Sequence, residues 1–194
     1  MRPPAPSHPR FCTKRQIIRL AEQKDVPEVV RYVHDNREFL QSWEPGRNPE
    51  YFTEDYWKRT LARNWSDFID DQSLRMHLFA GETDSRVIGT LNFSNFVRGA
   101  AQYCTMGYSL AEEEQGKGYM SEAIPPALKY VFEELNMHRV IACYMPHNVR
   151  SAALLKRLGF VVEGFARDYL LIDGRWEDHV ITGIVNPTWA SESK

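Results

Sequence analysis

The segment Gln115-Gly116-Lys117-Gly118-Tyr119-Met120 concentrates the residue types that an anion site needs. Glycines at alternate positions let the backbone curl until successive N–H groups converge, and a helix starting there adds its positive end. That arrangement suits a phosphate or pyrophosphate held with no side chain in between. The run is not a P-loop, because Gly-x-x-x-x-Gly-Lys-Ser/Thr is absent. It is not a dinucleotide fingerprint either, because Gly-x-Gly-x-x-Gly is absent. Further on, Asn148-Val149-Arg150-Ser151 opens a second helix that Leu158-Gly159-Phe160 closes. There Asn148 fits an N-cap, and Ser151 fits a first-turn hydroxyl that serves backbone groups.

The surrounding pattern supplies elements to position these residues. Gln16–Ala21 alternates as a strand, and Asp25, Pro27 and Glu28 form an N-terminal signal for a helix through Val29, Val30 and Val33. Thr53 caps a longer amphipathic helix in which Tyr56, Trp57, Thr60, Leu61, Asn64, Trp65, Phe68 and Ile69 recur at spacings of three and four. Leu74–Gly81 and Val87–Phe93 read as a hairpin joined by Glu82-Thr83-Asp84-Ser85. A strand at Gln102–Leu110 leads into the glycine segment, and a strand at Val140–Tyr144 leads into the Asn148 helix. This order implies parallel neighbours within a sheet that begins antiparallel. Asp173-Gly174 marks a tight hairpin between Phe165–Ile172 and Trp176–Val185. Pro125-Pro126 falls inside the helix after the glycine segment, where a kink is expected. The class is α/β, with a mixed sheet and helices on its faces. A Pro-rich leader, 1–14, is expected to be mobile, 15–188 to be a single domain, and 189–194 a tail.

Composition narrows the function. The chain has 194 residues, 43% hydrophobic and 12% aromatic, enough for a sizeable core. With 24 Lys plus Arg against 26 Asp plus Glu, its net charge of -2 is the wrong balance for direct nucleic-acid binding. Cys12, Cys104 and Cys143 suggest neither a disulfide framework nor a zinc site, and no His pair has metal-ligand spacing. A reducing cytoplasm is the expected location. No apolar run reaches the roughly 20 residues that cross a membrane, and no secretory signal is evident.

On these motifs the sequence resembles the GNAT family of acetyl-CoA-dependent N-acetyltransferases, whose phosphate loop is Gln/Arg-x-x-Gly-x-Gly/Ala and whose later helix often starts Asn-x-x-Ser. Asn36-Arg37-Glu38-Phe39-Leu40 with Trp43-Glu44-Pro45, Asn92-Phe93-Ser94-Asn95, Tyr144-Met145-Pro146-His147-Asn148 and Asp168-Tyr169-Leu170-Leu171-Ile172-Asp173-Gly174 resemble the ribosomal-protein alanine N-acetyltransferases of the RimJ type. The likeness runs from Gln16 to Pro187. It implies the GNAT acyl-CoA N-acyltransferase fold, with a splayed strand pair that receives pantetheine at Tyr108, Ser109 and Leu110 and at the strand from Arg139. It also implies acetyl-CoA as co-substrate and no metal, with the pyrophosphate on Gln115, Gly116, Lys117, Gly118, Tyr119 and Met120. Met120 stands where the family has Gly or Ala, so its side chain must turn away.

The resemblance further implies that a backbone N–H near Leu110 stabilises the oxyanion. Ser151 protonates the leaving thiolate, and Asn148 binds pantetheine or orients the loop. Thiols ionise near pH ~8.5, so a weak hydroxyl donor suffices. Trp43 and Tyr51 fall in the segment where relatives form the peptide groove, and Trp43 and Glu44 are the substrate-binding candidates. Thr105 and Leu170 occupy positions where relatives carry a glutamate base, which leaves Glu44, Asp168, Asp178 or water for deprotonation. The expected reaction is acetyl transfer to the N-terminal alanine α-amine of a small-subunit ribosomal protein, by a monomer or homodimer. Basic residues downstream in that substrate are expected to help. The alternatives are a small amine acceptor (a polyamine or aminoglycoside) and a ribosome assembly factor with weak catalysis.

Overall fold

A computed structural model describes residues 9–81 and 86–189, so residues 1–8, the 82–85 hairpin connection and most of the tail lie outside it. The sheet begins inside the expected leader, because Arg10–Cys12 (β1) pairs antiparallel with Gln16–Leu20 (β2). Val26–Asp35 (α1), Arg37–Gln41 (α2) and Glu54–Ile69 (α3) follow. Next come Leu74–Ala80 (β3), Arg86–Val97 (β4) and Tyr103–Leu110 (β5). Tyr119–Glu133 (α4), Arg139–Tyr144 (β6) and Val149–Arg157 (α5) precede the closing ribbon of Val161–Ile172 (β7) and Arg175–Val185 (β8). The eight strands form one sheet in the order β1-β2-β3-β4-β5-β6-β8-β7. Among the described strands only β5 and β6 run parallel, as the loop-helix crossover between them requires.

Strand alternation divides the core between the two faces. Val29, Tyr32, Trp57 and Leu61 of α1 and α3 pack with Phe79 and Val87 on one face. On the other, Ala123, Ile124, Val131 and Leu155 of α4 and α5 pack with Ile18, Met76 and Leu78. Asp173 and Gly174 both have positive φ (43° and 77°), as a two-residue hairpin turn with right-handed strand twist demands. Helix α4 continues unbroken through Pro125 and Pro126. Among the described residues no helix is long and apolar enough to cross a membrane.

One local expectation fails. Asp25 precedes α1 but makes no side-chain cap to it. Its carboxylate is bound by the Arg19 guanidinium at 2.7 and 3.0 Å and by the Glu22 N–H at 2.7 Å. Burial acts to raise that carboxyl, but these donors outweigh it and hold it below its ordinary range. A buried arginine needs a carboxylate more than a helix end needs a cap, because an unpaired buried charge costs several kcal/mol against about 1 for a lost cap.

Gly89 on β4 sets how closely β5 approaches. A Cβ there would lie 2.5 Å from the Ser109 carbonyl oxygen and 3.3 Å from the Met120 Cε. Gly89→Ala is therefore expected to lower stability by about 1–3 kcal/mol through overpacking, read as a lower urea midpoint. An unchanged midpoint would contradict the tight β4–β5 approach.

Candidate active site

The parallel pairing of β5 with β6 stops at Met106 and Ala142. Beyond it β5 stays on β4 as far as Leu110, while β6 stays on β8 as far as Tyr144. The two strands therefore part between Gly107–Leu110 and Cys143–Tyr144. The Ala111 N–H donates to the Ile88 carbonyl at 2.8 Å, which sets the hydrogen-bonding phase of β5. With that phase, the N–H groups of Ser109 and Gly107 point to β4, and those of Tyr108 and Leu110 point into the gap. The Leu110 carbonyl accordingly lies on the gap side and accepts from the Gln115 Nε2 at 2.9 Å.

The glycine segment closes the mouth of this gap. Gly116 and Gly118 have φ of +74° and +87°, a region that side chains other than glycine's enter at a cost. The N–H groups of Gly116, Lys117, Gly118, Tyr119, Met120 and Ser121 make no hydrogen bond among the described residues. Six consecutive free donors at a helix start are a ready cradle for a pyrophosphate. Met120 is 6% exposed, its side chain turned into the core and clear of the cradle.

Three neighbours brace the segment. The Arg15 Nη2 donates to the Lys117 carbonyl at 2.9 Å and binds Glu122 at 2.6 Å, with the guanidinium over the Tyr119 ring. The Gln16 Nε2 donates to the Tyr119 carbonyl at 2.7 Å. Glu114, nearly buried, accepts from the Lys117 Nζ at 3.0 Å and from the Arg86 Nη2 at 2.5 Å. Burial acts to raise the Glu114 carboxyl, but these two cations hold it below its ordinary range. Glu114 thus holds the Lys117 ammonium, and the cradle's donors are backbone ones.

Across the gap the Tyr108 Oη and Ser151 Oγ lie 2.6 Å apart. The Ser151 hydroxyl therefore faces the gap and is not spent on the backbone of its own helix. Asn148 does cap α5, its Oδ1 accepting from the Ser151 N–H at 3.0 Å. Burial pushes the Tyr108 phenol up to about 12, so it stays protonated at neutral pH. Ser109 points the opposite way, its Oγ 2.9 Å from both the Tyr32 Oη and the Thr90 Oγ1.

Two adjoining cavities, of about 200 and 140 Å³, lie on the α1/α3 side, and Glu44, Arg47 and Tyr51 line both. The smaller one reaches Ser109. The Glu44 carboxylate accepts from the Arg47 Nη2 at 2.8 Å. The Trp43 ring lies 5.5 Å from the His147 ring, joining the loop after α2 to the loop before α5. Asp168 and Asp178 are not brought to the cavities. The Asp178 Oδ1 accepts the Asp168 N–H at 2.9 Å, where β7 bulges and Asp168 has φ of +48°.

An eight-stranded mixed sheet, a strand pair that parts beside a glycine segment and a cradle of free N–H groups define an acetyltransferase fold. A family model described as an acetyltransferase (GNAT) domain matches residues 15–161, and the chain belongs to that family. It is 41% identical over 180 residues to the [ribosomal protein uS5]-alanine N-acetyltransferase of Escherichia coli K12, covering 93% of this chain and 92% of that one. The crystal structure of the ribosomal-protein-S5-alanine acetyltransferase of Vibrio fischeri superposes with a TM-score of 0.90 at 35% identity, over 94% of this chain and 99% of that one. Mycobacterium smegmatis RimJ in complex with CoA-disulfide superposes with a TM-score of 0.80 at 25% identity, over 88% of this chain and 81% of that one.

Proposed function

We propose that this N-acetyltransferase, with a single domain over 15–188, moves the acetyl group of acetyl-CoA to the α-amine of an N-terminal alanine on a small-subunit ribosomal protein. The observation that carries the chemistry is the gap between β5 and β6, with the N–H groups of Tyr108 and Leu110 facing in and the loop donors at its mouth. Identity with the E. coli and V. fischeri enzymes supports the acceptor. Acetyl-CoA supplies an activated thioester. The loop N–H groups hold its pyrophosphate, and the Asn148 amide nitrogen is free to meet pantetheine.

The acceptor amine attacks the thioester carbonyl carbon, and the Leu110 N–H stabilises the charge that develops on oxygen. When the C–S bond breaks, the Ser151 hydroxyl gives its proton to the thiolate and is resupplied through Tyr108 and solvent. The amine's proton goes to water. An α-amine, with a pKa of about 7.7–8.0, needs little help to lose it near neutral pH.

A polyamine would need converging carboxylates. The smaller cavity instead offers Glu44, already paired with Arg47, beside Arg75. An alanine-led peptide should therefore outpace a polyamine in direct competition, with a rate that rises with pH through about 8 and then levels. Faster turnover of the polyamine would replace this reading with a small-amine acceptor. Normal ribosome assembly without acetyl transfer would point to an assembly factor.

A further inference from the structure

Two buried polar side chains that line the smaller cavity have no hydrogen-bond partner among the described residues. Asn64 on α3 and His77 on β3 are 5% and 3% exposed and line it, yet neither side chain makes a hydrogen bond among the described residues. The His77 Nδ1 is sealed without a partner. An empty acceptor is cheaper to bury than an unpaired N–H, so the ring proton belongs on Nε2, which makes the imidazole a donor to the cavity. Burial among Trp57 and Phe79 pushes His77 down to about 4, so it is neutral there. Buried polar groups without partners are costly, and a site that must pair with a polar ligand explains why they persist.

The cavity's charge indicates the sign of that ligand. Glu44 and Arg47 neutralise each other, whereas Arg75 makes no ion pair among the described residues. The strand register fixes its place. Arg75 stands opposite Asn92, which stands opposite Gly107, and His77, Thr90 and Ser109 form the adjacent cross-strand row. Arg75 and His77 thus lie two strand spacings, roughly 10 Å, from the β5 edge of the gap. One residue of extended chain, about 3.5 Å, plus an acidic side chain spans the distance from an amine at the gap. A space of about 140 Å³ holds one side chain and not a chain segment.

We propose that this cavity is the subsite for an acidic side chain on the second residue of the acceptor, its carboxylate held by Arg75 and Asn92 with Asn64 and His77 as further donors. The proposal rests on the N-terminal acceptor reading and deepens it. It also reverses the expectation that basic residues following the alanine help.

The test is kcat/KM for three peptides that differ only at the second residue: Ala-Glu, Ala-Gln and Ala-Lys. The glutamate peptide is expected to exceed the glutamine peptide by about 10-fold and the lysine peptide by about 100-fold. Arg75→Gln, on an exposed side chain, should bring all three within about 3-fold. Arg75→Glu should turn the preference towards lysine. Equal rates in the unaltered protein, a preference that survives Arg75→Gln, or a preference for an acid at the third residue alone would overturn the subsite. If none of the peptides is acetylated at its α-amine, the N-terminal acceptor reading itself fails.

Discussion

Replacing Gly118 with valine is expected to abolish acetyl-CoA binding while leaving the protein folded. At φ of +87° a β-branched residue is excluded sterically, so the loop must rearrange to accept it. The site is exposed, and a Cβ there meets only the Arg15 Nη2 at 3.5 Å, so the core has no reason to respond. The loss falls on the six free N–H groups between Gly116 and Ser121, whose convergence depends on that one backbone conformation. Misdirecting even two charge-assisted hydrogen bonds costs about 3–6 kcal/mol. At 1.4 kcal/mol per tenfold, affinity falls by at least about 100-fold. Calorimetric titration with acetyl-CoA reads it directly. Unchanged affinity in a folded Gly118→Val protein would remove the pyrophosphate from this loop.

The second large effect is on turnover. Ser151→Ala should lower kcat by about 10- to 1,000-fold, or about 1.4–4 kcal/mol of barrier, with little change in acetyl-CoA affinity. The hydroxyl faces Tyr108 across the gap and acts on the leaving thiolate, which carries its full charge only as the C–S bond breaks. Tyr108→Phe leaves that hydroxyl in place and removes its partner, so a smaller loss of about 2- to 10-fold is expected. A phenol pushed up to about 12 adds no ionisation to the pH–rate profile below about 10. A full rate in Ser151→Ala would reduce Ser151 to the first turn of α5.

The elements that hold this chemistry are local, and so they can be read in the chain. The glycine segment, the Asn148 cap and the Asp173-Gly174 turn each depend on a few adjacent residues whose backbone demands are specific. What brings Tyr108 to Ser151 is different. They are 43 residues apart, and their contact depends on where two strands stop pairing, which no short pattern encodes. The same holds for Arg15, which braces a loop 102 residues away. Asp25 misleads because its neighbours make a fair capping pattern, and only the fold brings Arg19 within reach of it. Arg75 and His77 leave a fainter trace. They alternate with Leu74, Met76 and Leu78 along β3, and a polar row at period two reads as a solvent face, which hides that His77 is buried. Asn64 is a polar residue on the apolar stripe of α3, and that is the trace it leaves.

The decisive property is the nitrogen that receives the acetyl group. A single peptide beginning with alanine and containing an internal lysine, incubated with the protein and acetyl-CoA and then fragmented in a mass spectrometer, decides it. The added mass of one acetyl group is predicted on the fragment containing the alanine α-nitrogen, with the lysine unmodified. Acetyl found mainly on the lysine ε-nitrogen would contradict it, because an amine with a pKa near ~10.4 would then be losing its proton in a site that has been assigned no strong base.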